Sequence, residues 1–151
     1  MSRDPEMFIK PELIKQFKEG CKKVGHLVTI TSVDRSMNEQ IALFHQGRYP
    51  LADVNEKRRM AKLPLITEEQ NKTVTWTMNS KHIPDSVTGK SEAFDYAIVK
   101  DGKVCWSLKA DCDQDSIPDY LECAKVAEGL GLMSGRVFKN PDYPHCQYER
   151  Y

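Results

Sequence analysis

The chain has 151 residues, the length of one ordinary domain, and can bury a core without disulfides to support it. Lysine plus arginine number 22, as do aspartate plus glutamate, so no overall charge attracts the protein to nucleic acid or to an anionic membrane surface. Its five cysteines are odd in number and form no C-x-x-C pair, which argues against a disulfide framework and against a cysteine zinc site. A local site must therefore carry the function.

The first half of the chain reads mainly as helix. Apolar residues at helical spacing predict a helix over residues 11–24, and β-branched residues predict a strand over 27–31. A capping-box sequence begins a second helix over 36–46, which Gly47 would end. Residues 50–70 are charged and indicate only a short helix with a surface excursion.

The second half reads mainly as strand. Strands are predicted over residues 73–77, 93–99, 104–108 and 145–149, with a helix over 116–130. The pair Asp101-Gly102 indicates a hairpin between two of these strands. Helices followed by a small antiparallel sheet and one more helix indicate an α+β fold, with about three to four helices around the sheet. We expect one domain over residues 1–151, since no linker or repeat divides the chain.

A group of histidines and carboxylates points to metal chemistry. His82, Asp95 and His145 are three ligands of the kind that Zn²⁺ prefers, and a site with three protein ligands keeps a fourth position for water. Because all three lie on or next to predicted strands, they can converge at one edge of the sheet. Asp142, three residues before His145, would then be the acceptor of the water's proton.

The spacing of these residues resembles a known family. Ser80 and His82 match an S-x-H element, Gly89, Ala93 and Asp95 match a lengthened G-x-x-A-x-D element, and Asp142 and His145 match a D/E-x-x-H element. Arg35-Ser36, Glu39-Gln40, Leu43 and Gln46-Gly47-Arg48 match a fourth segment. Together they resemble the zinc cell-wall peptidases, which include D-alanyl-D-alanine carboxypeptidases and the L-alanyl-D-glutamate peptidases that serve phages as endolysins. The resemblance covers roughly residues 28–148.

The resemblance implies a role for each matched residue. Zinc would be held by His82, Asp95 and His145, and Asp142 would be the general base toward the zinc-bound water. Arg35 would pair with the oxyanion or with a substrate carboxylate; the alternative is an ordinary surface ion pair. Substrate contacts are implied for two further residues, Ser80 and Gln40. The alternatives are that Ser80 shapes its turn and that Gln40 is a helix-surface residue.

Two departures from the family pattern affect the environment of the site. The spacing from His82 to Asp95 is longer than the shortest family form, so residues 83–88 should be a looped insertion whose Asp85 is not the ligand. Residues 132–136 stand where many members carry a tryptophan and paired glycines, which alters the expected substrate wall rather than the metal site.

An acidic stretch after the third predicted strand has the spacing of a calcium loop. Its five candidate ligands are Asp111, Asp113, Asp115, Asp119 and Glu122. Ser116 stands where the sharp turn of such a loop normally requires glycine, and it could instead cap the helix that follows. Calcium is therefore a second predicted cofactor, with a simple helix start as the alternative.

These observations lead to one functional prediction. The protein is expected to be a zinc metallopeptidase of the endolysin type that hydrolyses a peptide bond of bacterial peptidoglycan, with L-alanyl-D-glutamate as the preferred bond. The alternatives are a D-alanyl-D-alanine carboxypeptidase and a non-catalytic zinc- or calcium-binding module for wall recognition. Since no signal-peptide pattern is present, we expect synthesis in the host cytoplasm. The resemblance implies action on the cell wall. We also expect a monomer without nucleic-acid or membrane partners, because the charges balance and no apolar stripe remains for a second copy.

Overall fold

A computed structural model describes residues 2–106 and 118–149. The helices are α1 (Pro11–Lys23), α2 (Met37–His45), α3 (Leu51–Met60) and α4 (Asp119–Gly129). The strands are β1 (Leu27–Ser32), β2 (Ala93–Lys100), β3 (Lys103–Cys105), β4 (Leu132–Ser134) and β5 (His145–Tyr148). Short 3₁₀ turns occupy Pro5–Met7, Glu68–Gln70 and Gly135–Val137. The predicted α+β class with a small antiparallel sheet is therefore confirmed.

The sheet is antiparallel, and its order along the main path is β1-β2-β5-β4. The long strand β2 pairs with β1 on one side, and on the other side with β5 at its beginning and with the short β3 at its end. In the β2–β5 ladder, Asp95 lies directly opposite His145. Paired residues on neighbouring strands have Cβ atoms about 5 Å apart, so this register alone brings the two side chains together.

The core lies between the sheet and helices α1 and α4. Phe17 of α1 packs against Phe94 and Tyr96 of β2, with ring centroids 5.5 and 4.8 Å apart, and Tyr96 in turn contacts Tyr120 of α4. These rings are fully or almost fully buried. Each buried side chain of this size contributes about 1.5–3 kcal/mol relative to exposure, so the core holds β2 rigidly beneath the site.

Several predicted elements agree with the structure. The capping box is present: Ser36 Oγ accepts from the Glu39 amide, and the Glu39 carboxylate accepts from the Ser36 amide. The Asp101-Gly102 hairpin is also present, with φ values of 52° and 74°, as a type I′ turn requires. The short helix expected within residues 50–70 is α3.

Other predictions were wrong. Residues 73–77 are not a strand; they form an irregular segment with a bend at Trp76 that joins no ladder in the described structure. Strand β4 was not predicted, because its three residues are too few to show a period. The third predicted strand ends at Cys105, and residues 107–108 and 116–117 lie outside the described ranges. Among the described helices, none combines the length and apolar character needed to cross a bilayer.

Candidate metal centre

Three predicted ligands come together at one point. Asp95 Oδ1 lies 3.2 Å from His82 Nε2 and 3.3 Å from His145 Nδ1. The two imidazole rings stand at 72° to each other, with their centroids 5.2 Å apart. In a tetrahedral zinc site with bonds of 2.0–2.1 Å, neighbouring ligand atoms are about 3.3 Å apart. These two spacings are compatible with the edges of such a site, so the three residues form a candidate metal-binding group.

Each histidine is oriented by a hydrogen bond from its other nitrogen. His82 Nδ1 donates to the Val33 carbonyl at 2.8 Å, and His145 Nε2 donates to Gln147 Oε1 at 2.8 Å. In the neutral imidazoles that these bonds favour, His82 Nε2 and His145 Nδ1 carry the lone pair that can bind a cation placed between them and Asp95. Such orientation by an outer partner is typical of metal-binding imidazoles.

The atoms that face the shared point are unsatisfied within the protein. His82 Nε2 and Asp95 Oδ1 are both buried without a hydrogen-bond partner. A buried polar atom without a partner costs about 1–3 kcal/mol, so such atoms are rare unless a bound group completes them. Two imidazole nitrogens and one carboxylate oxygen fit a divalent transition metal.

The charges of the triad are strongly coupled. Burial alone would raise the pKa of Asp95, but the neighbouring His82 and His145 imidazoles outweigh burial and hold it well below its ordinary value. Burial opposes protonation of His145, yet Asp95 raises the pKa of this histidine. The centre therefore keeps Asp95 as an anion, the form in which it can bind a cation.

Asp142 lies at the edge of the same cleft. Burial of its carboxyl group, together with the charge of Asp95, raises the pKa of Asp142, although His145, His82 and Arg35 act in the opposite direction. Its backbone carbonyl accepts from the His145 amide at 3.1 Å, so its position is tied to that of a predicted ligand. A carboxylate with a raised pKa beside a cation site has the basicity expected of a general base.

Arg35 lies behind the triad. It is 9% exposed, so the alternative of a surface ion pair does not hold. Its guanidinium approaches Asp95 Oδ2 at 3.6 Å, on the carboxylate oxygen that does not face the histidines. Its backbone amide donates to the His82 carbonyl at 2.9 Å. Arg35 also lines the cleft, where it can present a positive charge to a bound anion.

The two predicted substrate contacts have different positions. Ser80 lines the cleft, and its hydroxyl accepts from the His82 amide at 3.1 Å, which is the turn-shaping role. Gln40 is fully buried, so neither the substrate-contact prediction nor the helix-surface alternative fits its position. Its Oε1 accepts from Arg35 at 2.8 Å, and its Nε2 donates to the Thr77 carbonyl at 2.7 Å. Gln40 thus joins Arg35 to the segment 73–77.

Replacing Gln40 should loosen the cleft without removing its metal ligands. In Gln40→Ala, Arg35 and the Thr77 carbonyl lose a buried partner, so we expect a loss of about 1–3 kcal/mol in the free energy of unfolding and a lower rate of peptide cleavage. Gln40→Glu keeps the acceptor for Arg35, but it loses the donor to Thr75 Oγ1 and to the Thr77 carbonyl and adds a negative charge beside Arg35. Denaturant unfolding gives the stability of both variants, and metal analysis gives their zinc content. If a variant lost its zinc together with its activity, the result would contradict the role of Gln40 in positioning Arg35 and the cleft wall.

The cleft above the centre has a volume of about 580 Å³. One wall is the segment 73–77, for which the sequence predicted a strand, and it includes Trp76, which is 62% exposed. A second wall is formed by residues 138–142. Apart from Asp142, which belongs to the D/E-x-x-H element, neither wall carries a motif that predicts its place in the cleft.

Gly135 holds the second wall close to the centre. A Cβ atom at this position would lie 2.0 Å from the Asp142 carbonyl oxygen and 3.0 Å from His145 Cβ. We therefore expect Gly135→Ala to displace both residues and to lower activity and zinc affinity together. Gly129→Ala is the matched control, because a Cβ there meets nothing within 4 Å and alanine favours a helix. Equal activity in the two variants would contradict the expectation.

The predicted insertion between His82 and Asp95 is a closed loop. Asp85 Oδ1 accepts from the amides of Val87 and Thr88 at 2.8 and 3.1 Å, and the Gly89 amide donates to the Asp85 carbonyl. The Asp85 carboxylate thus caps the loop and is absent from the described metal-ligand groups, as expected of the carboxylate that is not the ligand.

The predicted calcium loop is only partly described. Asp111, Asp113 and Asp115 lie outside the described residues. Asp119 and Glu122, the other two predicted ligands, lie in the first turn of α4, and both approach the imidazole of His26. The sequence analysis did not connect His26 with this stretch, because 96 residues separate it from Glu122.

Comparisons with known proteins agree with the resemblance. No family model matches the chain. It is 29% identical, over 141 residues, to the peptidoglycan L-alanyl-D-glutamate endopeptidase CwlK of Bacillus subtilis (strain 168); the match covers 89% of this chain and 71% of that protein. The fold matches the crystal structure of the Serratia marcescens L-Ala D-Glu endopeptidase ChiX, with a TM-score of 0.51 and 18% identity, over 98% of this chain and 87% of that one.

Proposed function

From the premise that the chain belongs with the cell-wall peptidases of the L-alanyl-D-glutamate endopeptidase type, as the sequence motifs indicated, we propose that it hydrolyses a peptide bond of bacterial peptidoglycan with the help of zinc. The observation that carries this proposal is the convergence of His82, Asp95 and His145 at the base of an open cleft. The relative that shares 29% of its residues is a peptidoglycan endopeptidase, which supports the same substrate.

The triad would hold the metal through His82 Nε2, Asp95 Oδ1 and His145 Nδ1. Bound zinc supplies a Lewis acid that polarises the scissile carbonyl and lowers the pKa of water to about 7. The three ligands line the same cleft as Asp142 and the residues of both walls, so one side of the metal site would face the cleft. A peptide can therefore reach the centre from solvent.

Asp142 is assigned the proton transfers. Its carboxylate lines the cleft, where it would accept a proton from the attacking water and deliver it to the amine that leaves. Its raised pKa suits both steps, because a stronger base accepts the proton more readily and the protonated form then donates it. The water oxygen adds to the carbonyl carbon first, which places negative charge on the carbonyl oxygen, and the carbon–nitrogen bond breaks when Asp142 delivers the proton to the amine.

Arg35 is assigned the stabilisation of negative charge. Gln40 holds one edge of its guanidinium, Asp95 lies at another, and its Nε is buried without a partner. A guanidinium so fixed costs little reorganisation when charge develops on the substrate. It would also attract the carboxylates of the peptide stem, which is anionic where D-glutamate occurs.

The L-alanyl-D-glutamate bond is the proposed target because the relative and the fold neighbour are both named for it. A D-alanyl-D-alanine carboxypeptidase is the second candidate, on the residue pattern alone. A wall-recognition module without catalysis would not need Asp142 beside the metal ligands. We also propose that the protein acts on the cell wall as a monomer. Phage origin and synthesis in the host cytoplasm belong to the same proposal.

Digestion of purified cell walls tests this function. The apo protein, prepared by chelation, should release no peptides, and zinc should restore the release. Mass spectrometry of the fragments identifies the bond: new D-glutamyl amino termini support the endopeptidase, whereas free D-alanine supports the carboxypeptidase. Bound zinc without any released product would contradict both and favour the recognition module.

A further inference from the structure

A second cluster of metal-ligand side chains lies outside the cleft. His26 Nε2 lies 3.0 Å from Glu122 Oε1 and 3.7 Å from Asp119 Oδ1, and all three ligand atoms lie within 4.8 Å of one another. The His26 and Asp119 side chains are each 1% exposed, and that of Glu122 is 11% exposed. We propose that this triad is a second divalent transition-metal site, of the type that takes zinc.

The geometry matches that of the first centre. The two distances from His26 lie on either side of the roughly 3.3 Å edge of a tetrahedral zinc site, and the corresponding distances in the cleft are 3.2 and 3.3 Å. An imidazole nitrogen and carboxylate oxygens are also donors of the kinds that bind zinc in proteins. The two clusters thus present similar ligand atoms at similar spacing.

The three ligands come from two neighbouring parts of the fold, the first turn of α4 and the turn between α1 and β1. Asp119 and Glu122 are three residues apart on α4, so they lie on one face of its first turn. His26 follows Gly25, whose φ of 90° ends the turn after α1, and the His26 amide donates to the Cys21 carbonyl at 2.9 Å. Helix α1 also contacts α4, so the imidazole and the carboxylates are delivered by packed elements.

Charge favours a cation at this place. Asp119 and Glu122 are two acidic side chains that lie largely out of contact with water on one side of the His26 imidazole. A divalent cation placed among the three ligand atoms would be attracted by both carboxylates.

The imidazole also decides which cation fits. Calcium takes oxygen ligands almost exclusively, whereas an imidazole nitrogen suits zinc and the other transition metals. Asp119 and Glu122 belong to the predicted calcium loop, but the position of His26 points instead to zinc. A metal here would cross-link the start of α4 to the turn between α1 and β1. None of its three ligands lines the cleft, so it would stabilise the fold rather than take part in cleavage.

The test uses the full chain with its cleft site disabled. His82→Ala removes one ligand of the first centre, and zinc content after equilibration with the metal and dialysis counts what remains. We expect about two zinc ions per chain in the wild type, one in His82→Ala, and none when His26→Gln is added. In His82→Ala, zinc should also raise the melting temperature, because a ligand bound only by the folded state stabilises it.

Two further variants keep the result decisive. Glu122→Gln retains an acceptor for His26 and should lose the second zinc even if His26→Gln fails to fold. Glu12→Gln, an exposed carboxylate on α1, should keep both ions. The proposal is overturned if the wild type binds a single zinc ion and His82→Ala binds none. It is also overturned if calcium raises the melting temperature of His82→Ala and zinc does not. Wall cleavage by His26→Gln remains zinc-dependent in either case, so failure here leaves the proposed function intact.

Discussion

Asp142→Ala is expected to abolish the release of peptides from cell walls while leaving bound zinc in place. Removal of a general base typically costs about 10²–10⁴-fold in rate, because the attacking water then lacks a positioned proton acceptor. The change should not affect the metal, since the atoms that converge on Asp95 come from His82 and His145. Peptide release and zinc content, measured on the same preparation, check both parts.

Asp142→Asn provides the matched variant. The amide keeps the size of the side chain and its place in the cleft wall, but it cannot accept the proton at neutral pH. We expect it to be as inactive as the alanine variant, with an unchanged melting temperature. Wild-type activity in the asparagine variant would remove Asp142 from the proton transfers and leave it only a role in shaping the wall.

Asp95→Asn is expected to eliminate both zinc binding and cleavage at limiting zinc. The carboxylate supplies the one negative charge among the three ligands, and its depressed pKa shows how strongly the two histidines favour its ionised form. Loss of an outer partner of a ligand costs about 10- to 100-fold in metal affinity, so loss of a ligand should cost more. Competition of the protein with a chromogenic chelator for zinc measures the affinity.

The control for Asp95→Asn is Asp85→Asn in the inserted loop. Asp85 lies between His82 and Gly89, and its Oδ1 accepts hydrogen bonds from two backbone amides of the loop. An asparagine oxygen can accept the same hydrogen bonds, so zinc affinity and cleavage should stay near those of the wild type. If instead Asp85→Asn lost the metal and Asp95→Asn kept it, the assignment of the ligand would be reversed.

The sequence predicted the residues of the candidate metal centre better than it predicted the walls of the cleft around it. The convergence of His82, Asp95 and His145 could be predicted because the S-x-H and D-x-x-H spacings describe local geometry, and because Asp95 falls on a strand with a clear pattern. Gln40 was misassigned, since a polar residue on a helix gives no sign that both of its ends will be bonded inside the protein. Residues 73–77 were misassigned because alternating threonines satisfy the pattern of a strand even where no neighbouring strand is available.

The sequence by itself determined the α+β class, about three to four helices, the hairpin at Asp101-Gly102 and the convergence of His82, Asp95 and His145. These depend on local propensity, on capping and on short motifs, all of which act over a few residues. The tertiary structure alone decided that segment 73–77 forms a cleft wall, that Gln40 joins this wall to Arg35, and that His26 meets Asp119 and Glu122. Such contacts join residues from about 35 to 96 positions apart. They depend on how helices pack on the sheet, and no local pattern encodes that packing.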